Sequence, residues 1–392
     1  MRYFFIGCFI LNSVLTVNGQ EQLQQALDAV RINNLAIKTN QKFWSAKNAV
    51  SKTGLTITDP LVEYDYMFGS PAGAGNQRDF AITQRLDFPS VYKRKKTVSQ
   101  LQINQSQPYL RAYEQTILLE AKLQLIQLIY LNKKRNIVQA RLTKTQKLVT
   151  DYAKKLEQAA VTILDYNKAR LQLVTIQNEL ALLENEQQII HTKLAELNGG
   201  TTFHFKDSSY PAYPDIPNFE WIDSIIEAND PVIQSLEQEK IISQQQVLVQ
   251  KALNLPKFEA GYHSQGILGQ SYKGIHGGIV IPLWENRGRL EAARKQAEHA
   301  QQLEISSRLE HSKEHQQLYE QLAVRETAMK NYKSTLDSLN NEYLLNKALQ
   351  LGQITVIQYF MEESYYYQAV DMYLRLEHEY QQTLARLFKY QL

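Results

Sequence analysis

The chain has a single cysteine, Cys8, and it sits in an N-terminal stretch that reads as a removable leader. A mature chain without cysteine draws nothing from disulfides, even in an oxidising compartment. Glycine and proline are scarce, at 16 and 10, which favours long helices over turn-rich α/β architecture. After the leader no stretch reaches 18 consecutive apolar residues, so helical membrane spans are excluded and strands are the remaining way into a bilayer. The formal net charge is only +3, with Lys and Arg interleaved among Glu and Gln. No nucleic-acid partner is expected.

The leader is residues 1–19. Arg2 supplies a positive start, Tyr3 to Leu11 an apolar centre, and Val17 and Gly19 the small residues before a cleavage at Gln20. An exported chain without helical spans is therefore in view.

The stretch from Gly274 to about Ala297 organises the rest. Ile275, Gly277, Ile279 and Ile281 alternate with His276, Gly278, Val280 and Pro282, as a strand with two unlike faces would. The chain turns at Trp284-Glu285-Asn286 into a charged, Ala- and Gln-rich helical pattern that hardly breaks until Leu349. The same plan occurs earlier. Pro282 lies 193 residues after Pro89, each closing a strand, and Ile354-Thr355-Val356-Ile357 lies 193 after Val161-Thr162-Ile163-Leu164. Asn229-Asp230-Pro231-Val232 lies 195 after Asn34-Leu35-Ala36-Ile37. Shared offsets in independently assigned segments mark a tandem duplication.

The organisation expected is a first repeat over 20–200, a linker over 201–220 and a second repeat over 221–392. Each repeat holds a short helix, two strands and two long helices. The first has one helix from Glu21 to about Ser51, strands at about 55–66 and 79–88, and a helical hairpin at about 91–197, interrupted at Pro108. The second has strands at about 256–265 and 274–283, joined by a loop at 267–273, and a hairpin at about 285–391. The fold class is mainly α with a β-barrel portion.

Helices of 40 to 60 residues reach about 60 to 90 Å at about 1.5 Å per residue and must pack side by side as a bundle or tube. Four strands are too few to close a barrel, and open edges are not tolerated in lipid. Several copies would resolve this: three would supply twelve strands and twelve long helices, a barrel continued by a helical tunnel.

The Asn229-Asp230-Pro231 break, LPKFEAGY at 255–262, GGIVIPLWENRGRLEAA at 277–293, the LGQIT turn at 351–355 and the duplication together resemble the outer-membrane efflux protein (TolC) family, including its heavy-metal and multidrug branches. The resemblance spans the mature chain. It implies a homotrimer in the outer membrane of a Gram-negative bacterium, contacting outer-membrane lipid, with helices in the periplasm. It further implies a passive exit duct, working with a periplasmic adaptor (membrane-fusion) protein and an inner-membrane pump. The tunnel tips would lie near 147–162 and 342–355. Ala159 and Ala160, and Gly352 and Thr355, would stand in the adaptor-facing turns; the first pair differs from Gly352-Gln353 in the second repeat, so the grooves need not match. The competing reading is a periplasmic coiled-coil scaffold without channel activity.

Asp151 and Asp165 near the first tip, and Glu342, Gln353 and Gln358 near the second, are candidates to line the narrow end, where symmetry multiplies each acid. Tyr64, Tyr66, Phe80, Phe88, Tyr262 and Trp284 fall at strand ends or on apolar faces, as interfacial aromatic belts do. No cofactor and no catalytic constellation is expected. His191, His204, His263, His276, His299, His311 and His378 are dispersed without metal-ligand spacing. His263 and His276 would lie on adjacent strands, facing a lumen or one another.

Overall fold

The computed structural model describes residues 10–211, 216–339 and 341–392, with side chains from Glu21 onward except at residues 72, 341 and 342. Of the expected leader, residues 1–9 lie outside the described ones. Contacts divide the chain into two units: one holds 1–38, 113–228 and 312–392, the other 39–112 and 229–311.

The first unit is helical and carries both halves of the duplication. Helices α1 (Ile10–Asn33), α3 (Pro89–Glu157) and α4 (Ile163–Leu197) meet in one core, where Leu27, Val30, Leu118, Leu125, Leu128, Ile129 and Leu194 are buried. Helices α5 (Phe219–Asn229), α7 (Arg289–Ser338) and α9 (Val356–Leu387) meet in a second around Ile222, Ile226, Leu322, Leu384 and Leu387. The two cores share corresponding positions. Ile129 and Leu322, and Leu194 and Leu387, stand 193 apart, and Val30 and Ile226 stand 196 apart. Each half thus buries a short helix against a long hairpin through several of the same positions.

The single helix expected over 21–51 is two, α1 and α2 (Leu35–Ser51). Asn34 breaks it: its Oδ1 accepts from the Ile37 N–H at 2.9 Å, and its Nδ2 donates to the Leu197 carbonyl at 2.7 Å. An N-cap side chain bonded across to α4 fixes the kink where periodicity alone showed none. Its counterpart is Asp230, which caps α6 (Pro231–Leu253) through the Val232 N–H at 2.7 Å. The caps are 196 apart, one residue more than the sequence register assigned. Pro108 does not interrupt α3, a continuous 69-residue helix. Proline deletes one backbone bond, and neighbouring Gln105 and Ser106 hold that turn through Glu239 at 2.7 Å and Asn48 at 3.1 Å.

The helix expected to run to Leu349 stops at Ser338 and resumes as α8 (Asn341–Gln350). The second hairpin is therefore broken where α3 is not.

The second unit contains one antiparallel sheet of order β1-β2-β3-β4, with β1 Leu61–Met67, β2 Gln77–Leu86, β3 Lys257–Ile267 and β4 Gln270–Val280. The two duplicated hairpins join through β2 and β3. Strand β1 is shorter than expected and shifted past Pro60, which has no N–H to give a ladder. Residues 55–60 are tied by side chains instead: the Thr58 hydroxyl donates to the Arg85 carbonyl at 2.9 Å. The expected 267–273 loop is a two-residue turn, Leu268-Gly269, both at positive φ (49° and 79°). Both central residues at positive φ make the turn whose twist matches its flanking strands.

Candidate membrane sheet and hairpin tips

The register sorts every strand residue onto one of two faces. Pairs Tyr64↔Phe80, Ile82↔Tyr262 and Tyr262↔Ile275, with Leu86↔Phe258 and Phe258↔Ile279, share one face. Pairs Arg85↔Glu259 and Gly261↔His276, with Asp65↔Asp79 and His263↔Gly274, share the other. The middle of the first face is apolar and aromatic, with Arg78 and Lys273 toward the hairpin-turn end; the second carries the charged pairs, with Leu61, Met67, Tyr272 and Val280 toward its ends. Large side chains of the apolar face stand exposed, Ile275 at 90% and Ile279 at 66%. Isolated surface leucines need no account, but a continuous apolar face across four strands does.

On the polar face, polar contacts run across three strands. Arg85 Nε meets Glu259 Oε2 at 2.8 Å, and His276 Nε2 stands 3.5 Å from Glu259 Oε1. Gly261 leaves room for this: a Cβ there would lie 2.3 Å from His276 Cε1 and 2.7 Å from the Ile82 carbonyl oxygen. His276 thus lies over Gly261 and turns to Glu259, while His263 faces Gly274. Both histidines share the polar face, and neither stands opposite the other in the register.

Tyr64, Tyr66, Phe80 and Tyr262 all lie on the apolar face, whereas Phe88 and Trp284 lie beyond the strand ends. Phe88 packs on Phe258 with centroids 6.0 Å apart, and Trp284 is exposed. Next to Trp284, Lys257 Nζ binds both oxygens of Glu285 at 2.7 and 2.9 Å, holding that carboxyl below its ordinary range. Asn286, buried, donates to the Leu253 carbonyl at 2.7 Å. The turn after β4 is thereby pinned to the end of α6.

The tips in the first unit are two equivalent turns, 158–162 and 351–355. In each, an i to i−5 bond closes the preceding helix, Ala160 N–H to the Lys155 carbonyl at 2.8 Å and Gln353 N–H to the Ala348 carbonyl at 2.9 Å. A capping box opens the following helix. The Asp165 N–H donates to Thr162 Oγ1 at 3.2 Å, and the Gln358 N–H donates to Thr355 Oγ1 at 3.2 Å. Reciprocally, the Thr162 N–H donates to Asp165 Oδ2 at 3.4 Å and the Thr355 N–H to Gln358 Oε1 at 2.8 Å. Of the proposed gate residues, Asp165 and Gln358 are therefore engaged in ending their own turns. Asp151 and Gln353 are exposed, and the side chain of Glu342 lies outside the described residues.

The difference at Ala159 and Gly352 proves to be one of residue, not of backbone. Both adopt the left-handed conformation, with φ of 54° and 67°. Glycine enters that region without penalty, alanine at a cost of about 1 kcal/mol. Ala159→Gly is expected to raise stability by about 0.5–1 kcal/mol, and Gly352→Ala to lower it by about 1 kcal/mol or more. Hydrogen exchange of the two turns reads this locally, and the same sign for both changes would refute the equivalence.

Two histidine–carboxylate pairs escaped the sequence reading. In the second unit His311 Nδ1 lies 3.0 Å from Asp230 Oδ2. In the first, Asp223 takes His315 Nδ1 at 3.2 Å and the Ser312 hydroxyl at 2.9 Å. The signal was legible: His315 follows His311 by four residues, a spacing that breaks the dispersal expected of the histidines.

No protein-family model and no curated protein sequence matches the chain. Solved structures do. The chain is similar to the CusC channel, at 13% identity over 94% of this chain and 92% of that one, with a TM-score of 0.75. The CmeC outer-membrane channel of Campylobacter jejuni is similar at 14% identity over 94% and 85%, TM-score 0.71. So is the outer-membrane protein VceC of Vibrio cholerae, at 14% over 95% and 97%, TM-score 0.70. At such identities the likeness is one of fold. This chain has the TolC-type fold of outer-membrane channels: a mainly helical chain with a small antiparallel sheet.

Proposed function

We propose that the protein is a passive outer-membrane exit duct, whose strands close a barrel and whose helices close a tunnel when three copies assemble. The observation that carries this reading is the sheet. Val62, Ile82, Tyr262 and Ile275 make one face apolar across all four strands while Arg85, Glu259 and His276 lie on the other, and among the described residues the sheet ends in two open edges, β1 and β4. In lipid an unpaired edge leaves backbone N–H and C=O groups without partners, so β4 of one copy pairs with β1 of the next. The apolar face then meets lipid and the polar face a water-filled lumen. Likeness of fold to CmeC and OprN, each described as an outer-membrane channel, supports the same placement.

The tips, with Ala159, Ala160, Gly352 and Thr355 in their turns, are the surface offered to a periplasmic adaptor. Asp151, Gln353 and Glu342 are the residues left to line the narrow end. Energy comes from an inner-membrane pump, since the reading assigns the duct no chemistry. The scaffold alternative predicts that the sheet's apolar face is covered by protein and needs no detergent.

The mass of detergent-extracted protein tests this, beside disulfide linking of Glu63→Cys on β1 with a scan at Gly274, His276 and Gly278 on β4. A trimer from the outer membrane, with linking between copies at one register, is expected. A detergent-free monomer that does not link would refute it.

A further inference from the structure

The two strand-to-helix junctions of the duplication, β2 into α3 and β4 into α7, carry cations at the same places. Arg94 and Arg287 stand 193 residues apart, and so do Lys96 and Arg289. All four are exposed, as is Lys93 beside the first pair. The junctions are also level in the sheet. Leu86 pairs with Phe258, and Phe258 with Ile279, which sets the ends of β2 and β4 two strand spacings, about 10 Å, apart. One rim of the sheet therefore carries a row of cations.

The acids of these junctions each pair with a different cation. Lys95 takes Asp87 at 3.7 Å, Lys257 takes Glu285 at 2.7 Å and Arg294 takes Glu291 at 3.9 Å. Arg289 donates to a neutral partner, Asn286 Oδ1, at 3.3 Å. The polar face keeps its own cations neutralised, Arg85 by Glu259 and Lys257 by Glu285. Toward the hairpin turns Arg78 and Lys273 are matched in number by Asp65 and Asp79. Excess positive charge is thus concentrated at the rim where the helices begin.

What lies beside the row points to its partner. Leu283 and Trp284, 66% and 77% exposed, stand between the end of β4 and Arg287. That apolar, aromatic, then cationic order follows a lipid from its chains to its phosphate. Helix α3 begins at Pro89, so Arg94 and Lys96 lie about 8 and 10 Å along it at about 1.5 Å per residue. The headgroup layer extends about 5–8 Å beyond the hydrocarbon, and Arg and Lys reach back to it along their stems.

We infer that this rim binds anionic glycerophospholipid of the leaflet on the helix side, its phosphate held by Arg94, Lys96, Arg287 and Arg289. The inference rests on the lipid-facing reading of the sheet and adds a headgroup preference with the residues that carry it. Guanidinium groups meet phosphate through paired N–H donors. A cationic rim draws anionic headgroups over net-neutral ones.

The test places the full chain in phosphatidylcholine vesicles carrying a trace of spin-labelled phosphatidylglycerol or spin-labelled phosphatidylcholine. The motionally restricted fraction of each label is measured. Phosphatidylglycerol should associate about threefold or more over phosphatidylcholine. That preference should shrink between about 0.01 M and about 1 M salt, as the screening length falls from about 30 Å to about 3 Å. Arg94→Gln, Lys96→Gln, Arg287→Gln and Arg289→Gln together should bring the ratio to about one. Should the fourfold variant not assemble, the two pairs are read separately, and each should lower the ratio. Equal association of both lipids with the unchanged chain would overturn the inference, as would a ratio untouched by these changes. Loss of the preference in Arg78→Gln with Lys273→Gln would place the phosphate at the other rim and overturn it too. So would an even lipid ratio in a chain that sediments with purified peptidoglycan through the same four residues. If neither label is restricted, the chain does not meet lipid, and the lipid-facing reading itself falls.

Discussion

Replacing Ile275 by arginine is expected to abolish most outer-membrane assembly, while arginine one residue earlier, at Gly274, leaves it largely intact. Ile275 is central in β4, pairs with Tyr262 and is 90% exposed on the apolar face. Gly274 faces the opposite side, with no atom within 4 Å of where its Cβ would stand. A cationic side chain on the lipid face near mid-bilayer costs about 2–4 kcal/mol, against little on the lumen face. That corresponds to roughly a 30- to 1,000-fold loss in the assembled fraction. The contrast also separates the duct from the scaffold. On a water-facing sheet, arginine at so exposed a position would be neutral or would help solubility. Quantifying heat-resistant oligomer in the membrane fraction for both variants decides it: equal yields would remove the lipid-facing assignment.

The parts of this fold legible in sequence were those written as a period or an offset. Alternation placed Ile275 and His276 on opposite faces, and the 193-residue offset paired the turns at Thr162 and Thr355 before any contact was known. What escaped was decided by single side chains or by weak local signals. Asn34 splits a helix by bonding to Leu197, which lies 163 residues away. Leu268 takes a turn position that Asn or Asp would have announced, so a tight hairpin read as a loop. The break before α8 carried a weaker mark than glycine or proline, the pair Asn340-Asn341, which can both end one helix and cap the next. The capping boxes were in plain view, as Thr162-x-x-Asp165 and Thr355-x-x-Gln358. At a tip, the same acid is equally compatible with a gate and with a cap, and only the bonds of Asp165 and Gln358 to their own N-caps distinguish the two.

Removing the cation from Lys144 is expected to destabilise the lower hairpins by about 3 kcal/mol or more. Glu363, on α9, is only 5% exposed and pairs with Lys144 Nζ of α3 at 3.3 Å. Tyr359, 2% exposed, donates its hydroxyl to the same carboxylate at 3.2 Å, and its hydroxyl stands 3.4 Å from Asn346 Oδ1 of α8. One buried carboxylate thus gathers three helices just above the second turn. Truncating one partner of such a pair strands the other charge, at about 3–5 kcal/mol, whereas replacing both is often close to neutral. Lys144→Met should therefore lower the urea midpoint sharply, and Lys144→Met with Glu363→Gln should recover most of the loss. Burial, with the Glu363 charge beside it, pushes the Tyr359 hydroxyl up to about 12, from about 10 when unfolded. Because the folded value is the higher, the stability it lends is complete below about pH 10 and is lost as pH rises through about 12. An alkaline transition of the hairpins in that window, reduced in Tyr359→Phe, is the expected signature. If Lys144→Met alone shifts stability by less than about 0.5 kcal/mol, the size of an exposed pair, the cluster is a surface contact and the three helices are held by their apolar seams.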